Sequence, residues 1–110
     1  MSAAPQGPTS KLQSPQSRVL GRIIAERRRQ EELAKAGKLP FTCADPLLDS
    51  GGDHALKMAV LMEEVGEVAK EVYERSVYEV EEEDPNAKLR TELVQVAAVA
   101  VAWLEALEQT

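Results

Sequence analysis

Carboxylates carry the clearest chemical potential in this chain. Glu63, Glu64 and Glu67 stand in the run Glu63-Glu64-Val65-Gly66-Glu67, and Glu92 follows further along. Groups three and four residues apart share one side of a helix. Two helices that each present such groups can build an oxygen-lined site. Mg²⁺ prefers carboxylates, water and substrate phosphates in octahedral geometry, and Mn²⁺ accepts a similar set. An ion held there would draw a polyphosphate to an acidic surface, activate water and stabilise charge on the transferred group. A nearby Glu can orient or deprotonate that water. The second helix alone also fits an ordinary amphipathic helix with a solvated acidic face. Glu92, near a helix start, also fits a side chain that merely favours the helix dipole.

Other polar residues have two readings each. Gln95 lies one turn after Glu92 and shares its face, at the entrance to a long apolar run. Lys57 sits two turns before Glu64, and Lys88 lies four residues before Glu92. Both are candidates for phosphate contacts, as are Lys70 and Arg90, and each also fits a surface ion pair. Lys88 is the first choice among them. His54 reads as structural or solvent-facing, with contact to a base or phosphate as the minority option. Trp103 reads as a core or interface residue.

Three helices must position these groups. The first fits from about Ser17 to Ala36, with Ser17 as N-cap and Gly37 and Pro40 as stops. Its apolar stripe is thin (Val19, Leu20, Ile23, Ile24, Leu33) and is interrupted by the charged stretch from Ala25 to Glu32. Residues 38 to 52 read as a loop, because Pro40, Pro46, Asp49, Ser50, Gly51 and Gly52 break regular structure. A loop of that length is either functional or a simple connector. The second helix fits from about Asp53, a plausible N-cap, to Val80. Met58, Leu61, Met62, Val65, Val68, Ala69 and Val72 form its apolar stripe. Glu64, Glu67 and Glu71 project roughly opposite the stripe's centre, and Glu63 lies at its border. The acidic run from Glu81 to Asn86 reads as a solvated turn. A third helix fits from about Ala87 to Glu108. Its segment Val96 to Leu104 is apolar on every side, which one small chain cannot easily bury. A partner chain could complete a four-helix-type core. A charge introduced at Val99 should then break assembly or folding.

Bulk properties narrow the function. The 110 residues point to a single domain over 16–110, preceded by a Ser/Pro/Gln-rich tail over 1–15 that reads as disordered. A net charge of -6 argues against nucleic-acid binding, though not against nucleotide ligands bridged by a metal. Cys43 is the single cysteine, which rules out an intrachain disulfide and suits a cytoplasmic location. No signal peptide is visible, and no apolar run approaches the roughly 20 residues of a membrane span.

The motifs carry a resemblance. Glu63-Glu64-Val65-Gly66-Glu67 resembles the EExxE motif of MazG-like, all-α nucleoside triphosphate pyrophosphohydrolases, with Lys57 before it and Val68-Ala69 after it. Glu92-Leu93-Val94-Gln95 approximates the family's second motif, ExxD. The stretch from Leu89 to Glu105, and Glu26-Arg27-Arg28-Arg29-Gln30, resemble a branch of short phage and bacterial members. Residues 17 to 108 are covered. The resemblance implies an all-α fold of three main helices per chain, completed as a homo-oligomer, either dimer or tetramer. It also implies Mg²⁺-dependent cleavage between the α and β phosphates of a nucleoside triphosphate, giving a nucleoside monophosphate and pyrophosphate. Glu64, Glu67 and Glu92 would ligate the metal, with Gln95 at the remaining ligand position. Glu63 would be the catalytic residue that positions the attacking water, or a further ligand. Lys57 and Lys88 would bind substrate.

Gln95 departs from the family pattern, which has Asp there. A neutral amide is a weaker ligand for a hard cation. The site then binds metal less tightly, or uses another carboxylate such as Glu71, or has lost activity. The competing function is a catalytically weak or inactive helical oligomer that binds nucleotides or a protein partner. A phosphoribosyl-ATP pyrophosphatase-like enzyme, on the same architecture, is a third reading.

Overall fold

The structure is a computed structural model and describes residues 13–48, 54–79 and 83–109. Among these residues it is all-helical, with three helices and no strand: α1 (Pro15–Lys35), α2 (Ala55–Val77) and α3 (Ala87–Glu108). The acidic residues Glu81 and Glu82, Gly51 and Gly52 of the first loop, and the proposed cap Asp53 lie outside the described residues. So do residues 1–12 of the N-terminal tail.

Helix α1 starts earlier than its sequence pattern implies. Ser14, not Ser17, is the N-cap: its Oγ accepts the Ser17 N–H at 3.1 Å. Pro15 follows at the first helical position, where its fixed φ suits the helix and its missing N–H costs nothing. The expected tail therefore ends before residue 14. At the other end Gly37, at φ 74, closes the helix. The Gly37 N–H donates to the Ala34 carbonyl and the Lys38 N–H to the Leu33 carbonyl, a Schellman arrangement that needs the left-handed conformation glycine adopts freely. Helix α3 has the bounds expected of it. Before it, Asp84 accepts from the Asn86 N–H at 3.0 Å and from Arg90 at 2.6 Å.

Helix α3 packs against both other helices. It runs antiparallel to α2, since Trp103 meets His54 at one end and Lys88 meets Glu71 at the other. It runs parallel to α1, since Arg90 and Leu93 face the start of α1 while Glu105 bonds Arg27 nearer its end. Small side chains let the helices approach: Ala98, Val99, Ala102 and Ala106 of α3 are buried, and Cys43 of the first loop joins them. Val60 and Leu61 of α2 pack on this cluster. Among the described residues no large side chain is fully buried.

The apolar surface is divided in an unexpected way. Leu61 and Val68 of the α2 stripe are half-buried within the chain. Met58, Met62, Val65 and Val72 are exposed, Met62 by 56%. Helix α2 instead turns Lys57 and Glu71 inward, at 2% and 8% exposure. On its carboxylate side Glu71 is buried and Glu64 half-buried, while Glu63 and Glu67 remain exposed to solvent. Val19, Leu20 and Ile24 of α1 are exposed as well.

Candidate functional site

A cleft of about 310 Å³ lies between α1 and α2. Gln95 and Val99 of α3 form its floor, Val60, Glu63 and Glu64 of α2 one wall, and Glu26, Arg29 and Gln30 of α1 the other. The loop after α1 closes one end with Leu39, Pro40, Phe41, Thr42 and Cys43. The antiparallel register sets what lies beyond the open end. Glu67 is one turn past Glu64 along α2, and Glu92 is one turn before Gln95 along α3, so both lie in the same direction from the cleft.

Charge gathers at this place. The Glu64 carboxyl is pushed above its usual range, first by burial and then by the negative charges of Glu92, Glu63, Glu67 and Glu26. These five carboxylates come from all three helices. Glu26 is held by Arg29 through a two-point ion pair at 2.8 and 2.7 Å. Glu63, Glu64, Glu67 and Glu92 form no ion pair or hydrogen bond with another described side chain.

Whether a metal fits rests on the donors. All four unpaired groups are hard oxygen donors, the type Mg²⁺ selects, and the negative charges around Glu64 favour a cation beside it. As the side chains stand, no group of three His, Cys, Asp or Glu residues among the described residues converges into a ready-made metal cage. The donor chemistry fits; the convergence would have to come with the ion.

The remaining expected site residues lie elsewhere. Lys57 is buried and does not line the cleft. Lys88 makes an ion pair with Glu71 at 3.6 Å and keeps most of its side chain exposed. That pair occupies Glu71, the alternative ligand. His54 begins α2 at φ 55, and its Nδ1 accepts the Trp103 Nε1 hydrogen at 3.2 Å. The two rings lie 5.6 Å apart. Both residues are half-buried.

Sequence reasoning missed the contribution of α1 and left the loop open between a functional and a connecting role. Glu26, Arg29 and Gln30 stand at spacings of three and four, one polar face of α1. The signal was present in the charged stretch from Ala25 to Glu32, which leaves the middle of α1 without an apolar stripe. A helix that packs through a polar face must meet polar partners. Arg27 meets them too, with Glu105, Gln30 and Glu31 all at 2.8–2.9 Å. A wider depression of about 380 Å³ surrounds this node. Four of the five Arg27 N–H donors are already engaged there by Glu105, Gln30 and Glu31.

Compared with known proteins, the chain matches no family model, no curated protein and no solved structure.

Proposed function

We propose that the chain is a Mg²⁺-dependent nucleoside triphosphate pyrophosphohydrolase that works as a homo-oligomer. The observation that carries this reading is that Glu63 and Glu64 line a cleft without a basic partner among the described residues, with the charges of Glu67 and Glu92 bearing on Glu64. Repelling carboxylates are costly unless they serve to hold a cation. The resemblance of the two acidic motifs to MazG-like enzymes supports the same reading.

Glu64, Glu67 and Glu92 would hold Mg²⁺, which supplies charge neutralisation for the phosphates and a more acidic bound water. Glu63 would take a proton from the attacking water as its oxygen adds to the α phosphorus. The bond from that phosphorus to the bridging oxygen breaks, and pyrophosphate leaves with the electron pair. Lys88, exposed beside Glu71, would leave that ion pair to contact a phosphate.

Oligomer formation is motivated by the exposed stripe on α2. Met58, Met62, Val65, Ala69 and Val72 recur at alternating spacings of four and three. That period is the seam of paired helices, and a second copy of the same stripe is complementary to it.

Pyrophosphate release from a panel of nucleoside triphosphates, with Mg²⁺ present, tests the activity. A monophosphate and pyrophosphate should appear, without diphosphate. Glu64→Gln and Glu92→Gln should each remove most of the activity while leaving the helical spectrum intact. Absence of pyrophosphate from every triphosphate would overturn the reading. The Gln95 departure would then favour the second one, an inactive helical oligomer that binds nucleotides or a protein partner.

A further inference from the structure

Gln95 sits on the cleft floor, half-buried, and its amide makes no hydrogen bond with any described residue. A half-buried amide offers two donors and an acceptor, so leaving it unmet wastes binding capacity. Its chemistry suits a hard cation poorly. It suits the edge of a heterocycle well, because a Gln amide pairs with adjacent donor and acceptor groups on a base. The surroundings agree. Val99 beneath, Val60 beside and Leu39, Pro40 and Phe41 at the closed end give apolar walls for a flat ring. The volume of about 310 Å³ is at the small end of ligand pockets, which run from about 300 to 1,000 Å³.

The two ends of the cleft therefore differ in chemistry. The loop end is mainly apolar, with Thr42 tied to Glu31 and the Gln95 amide open, and Glu26, Arg29 and Gln30 form a polar wall; the other end is acidic. We propose that the closed end is a nucleobase pocket, walled by Phe41, and that Gln95 reads the edge of the base instead of ligating metal. A nucleotide would then lie with its base at the loop and its phosphates toward Glu64, Glu67 and Glu92. This rests on the nucleotide reading of the site but not on hydrolysis.

Nuclear magnetic resonance on the full chain separates the two roles. The Gln95 side-chain amide signals are identified by their loss in Gln95→Leu. Adenosine, guanosine, cytidine and uridine are added singly in EDTA, so neither phosphate nor metal contributes. The amide signals should move with at least one nucleoside. Phe41→Leu should weaken that binding severalfold, and Gln95→Leu should shrink the preference between best and worst base by about tenfold. Circular dichroism confirms that each variant is folded. Amide signals unmoved by all four nucleosides overturn the proposal, as does a base preference that survives Gln95→Leu. Pyrophosphate release with an unmoved amide overturns the pocket and spares the hydrolase. A moved amide without pyrophosphate release does the reverse.

Discussion

At the residue scale, Glu64 links charge to stability. Its carboxyl titrates above the ordinary Glu range, because burial and neighbouring carboxylates disfavour its ionised form. The folded chain therefore holds a proton that the unfolded chain releases. The stability from this group is fully present below the unfolded value and is lost as pH rises through the folded one. In metal-free buffer the chain should lose urea resistance relative to Glu64→Gln as pH rises from about 4 toward 7. Equal pH slopes for the two proteins would show that Glu64 is not strained by its neighbours. Mg²⁺ should restore the wild type more than the variant, because an ion that binds only the folded state stabilises it. Glu31 acts in the opposite sense. Burial raises its carboxyl, but Arg27 and Thr42 outweigh this and hold it below the usual range. It therefore supports the fold at neutral pH and loses that support in acid.

At the element scale, Arg27 ties α1 to α3. Its side chain is 7% exposed and its guanidinium forks onto the Glu105 carboxylate. Arg27→Ala should cost about 1–3 kcal/mol, through lost charged hydrogen bonds and lost packing of the aliphatic stem. Arg27→Lys should recover little, because an ammonium cannot form the two-point contact. Chemical denaturation checks both. Gly21 gives a contrasting case in the same helix. A Cβ there would meet nothing within 4 Å, so Gly21→Ala should stabilise by about 0.5–1 kcal/mol through helix propensity alone. The elements themselves were largely legible in the sequence. The bounds of α3 were expected from its Ala/Val run. The carboxylates Glu63, Glu64, Glu67 and Glu92 were expected together; the charges of the other three bear on Glu64, but no three acidic groups among the described residues converge. What periodicity could not supply was rotation. The α2 stripe is wide enough to pack at either edge, and α3 took the edge that brings Glu64 and Glu71 inward. Pattern counting also treats Arg27 as one more surface charge, since its partner Glu105 is distant in sequence and invisible without the fold.

At the scale of the whole molecule, the chain leaves much of its apolar surface uncovered. The sequence pointed to α3 as the element that needs a partner. In the structure α3 is flanked on two sides, and exposed apolar side chains lie on all three helices: Leu93 and Leu104 on α3, Met58 and Met62 on α2, Leu20 and Ile24 on α1. Val99 is 6% exposed and packs with Cys43 and Ala102 inside the chain. Val99→Glu therefore tests folding and says little about assembly. Met62, exposed by 56% in the middle of the α2 stripe, separates the two. If a second copy covers the stripe, its apolar groups leave water at about 25 cal/mol per Å², and an unpaired carboxylate placed there opposes the contact. The melting temperature of the wild type should then rise with protein concentration, and light scattering should give a dimer or larger. Met62→Glu should shift the scattering mass toward the monomer and remove the concentration dependence, while the chain keeps its helical spectrum at high concentration. Val99→Glu should lose that spectrum at every concentration. A wild type that scatters as a folded monomer at micromolar concentration, with a Met62→Glu variant of equal melting temperature, would show that the stripe meets only water.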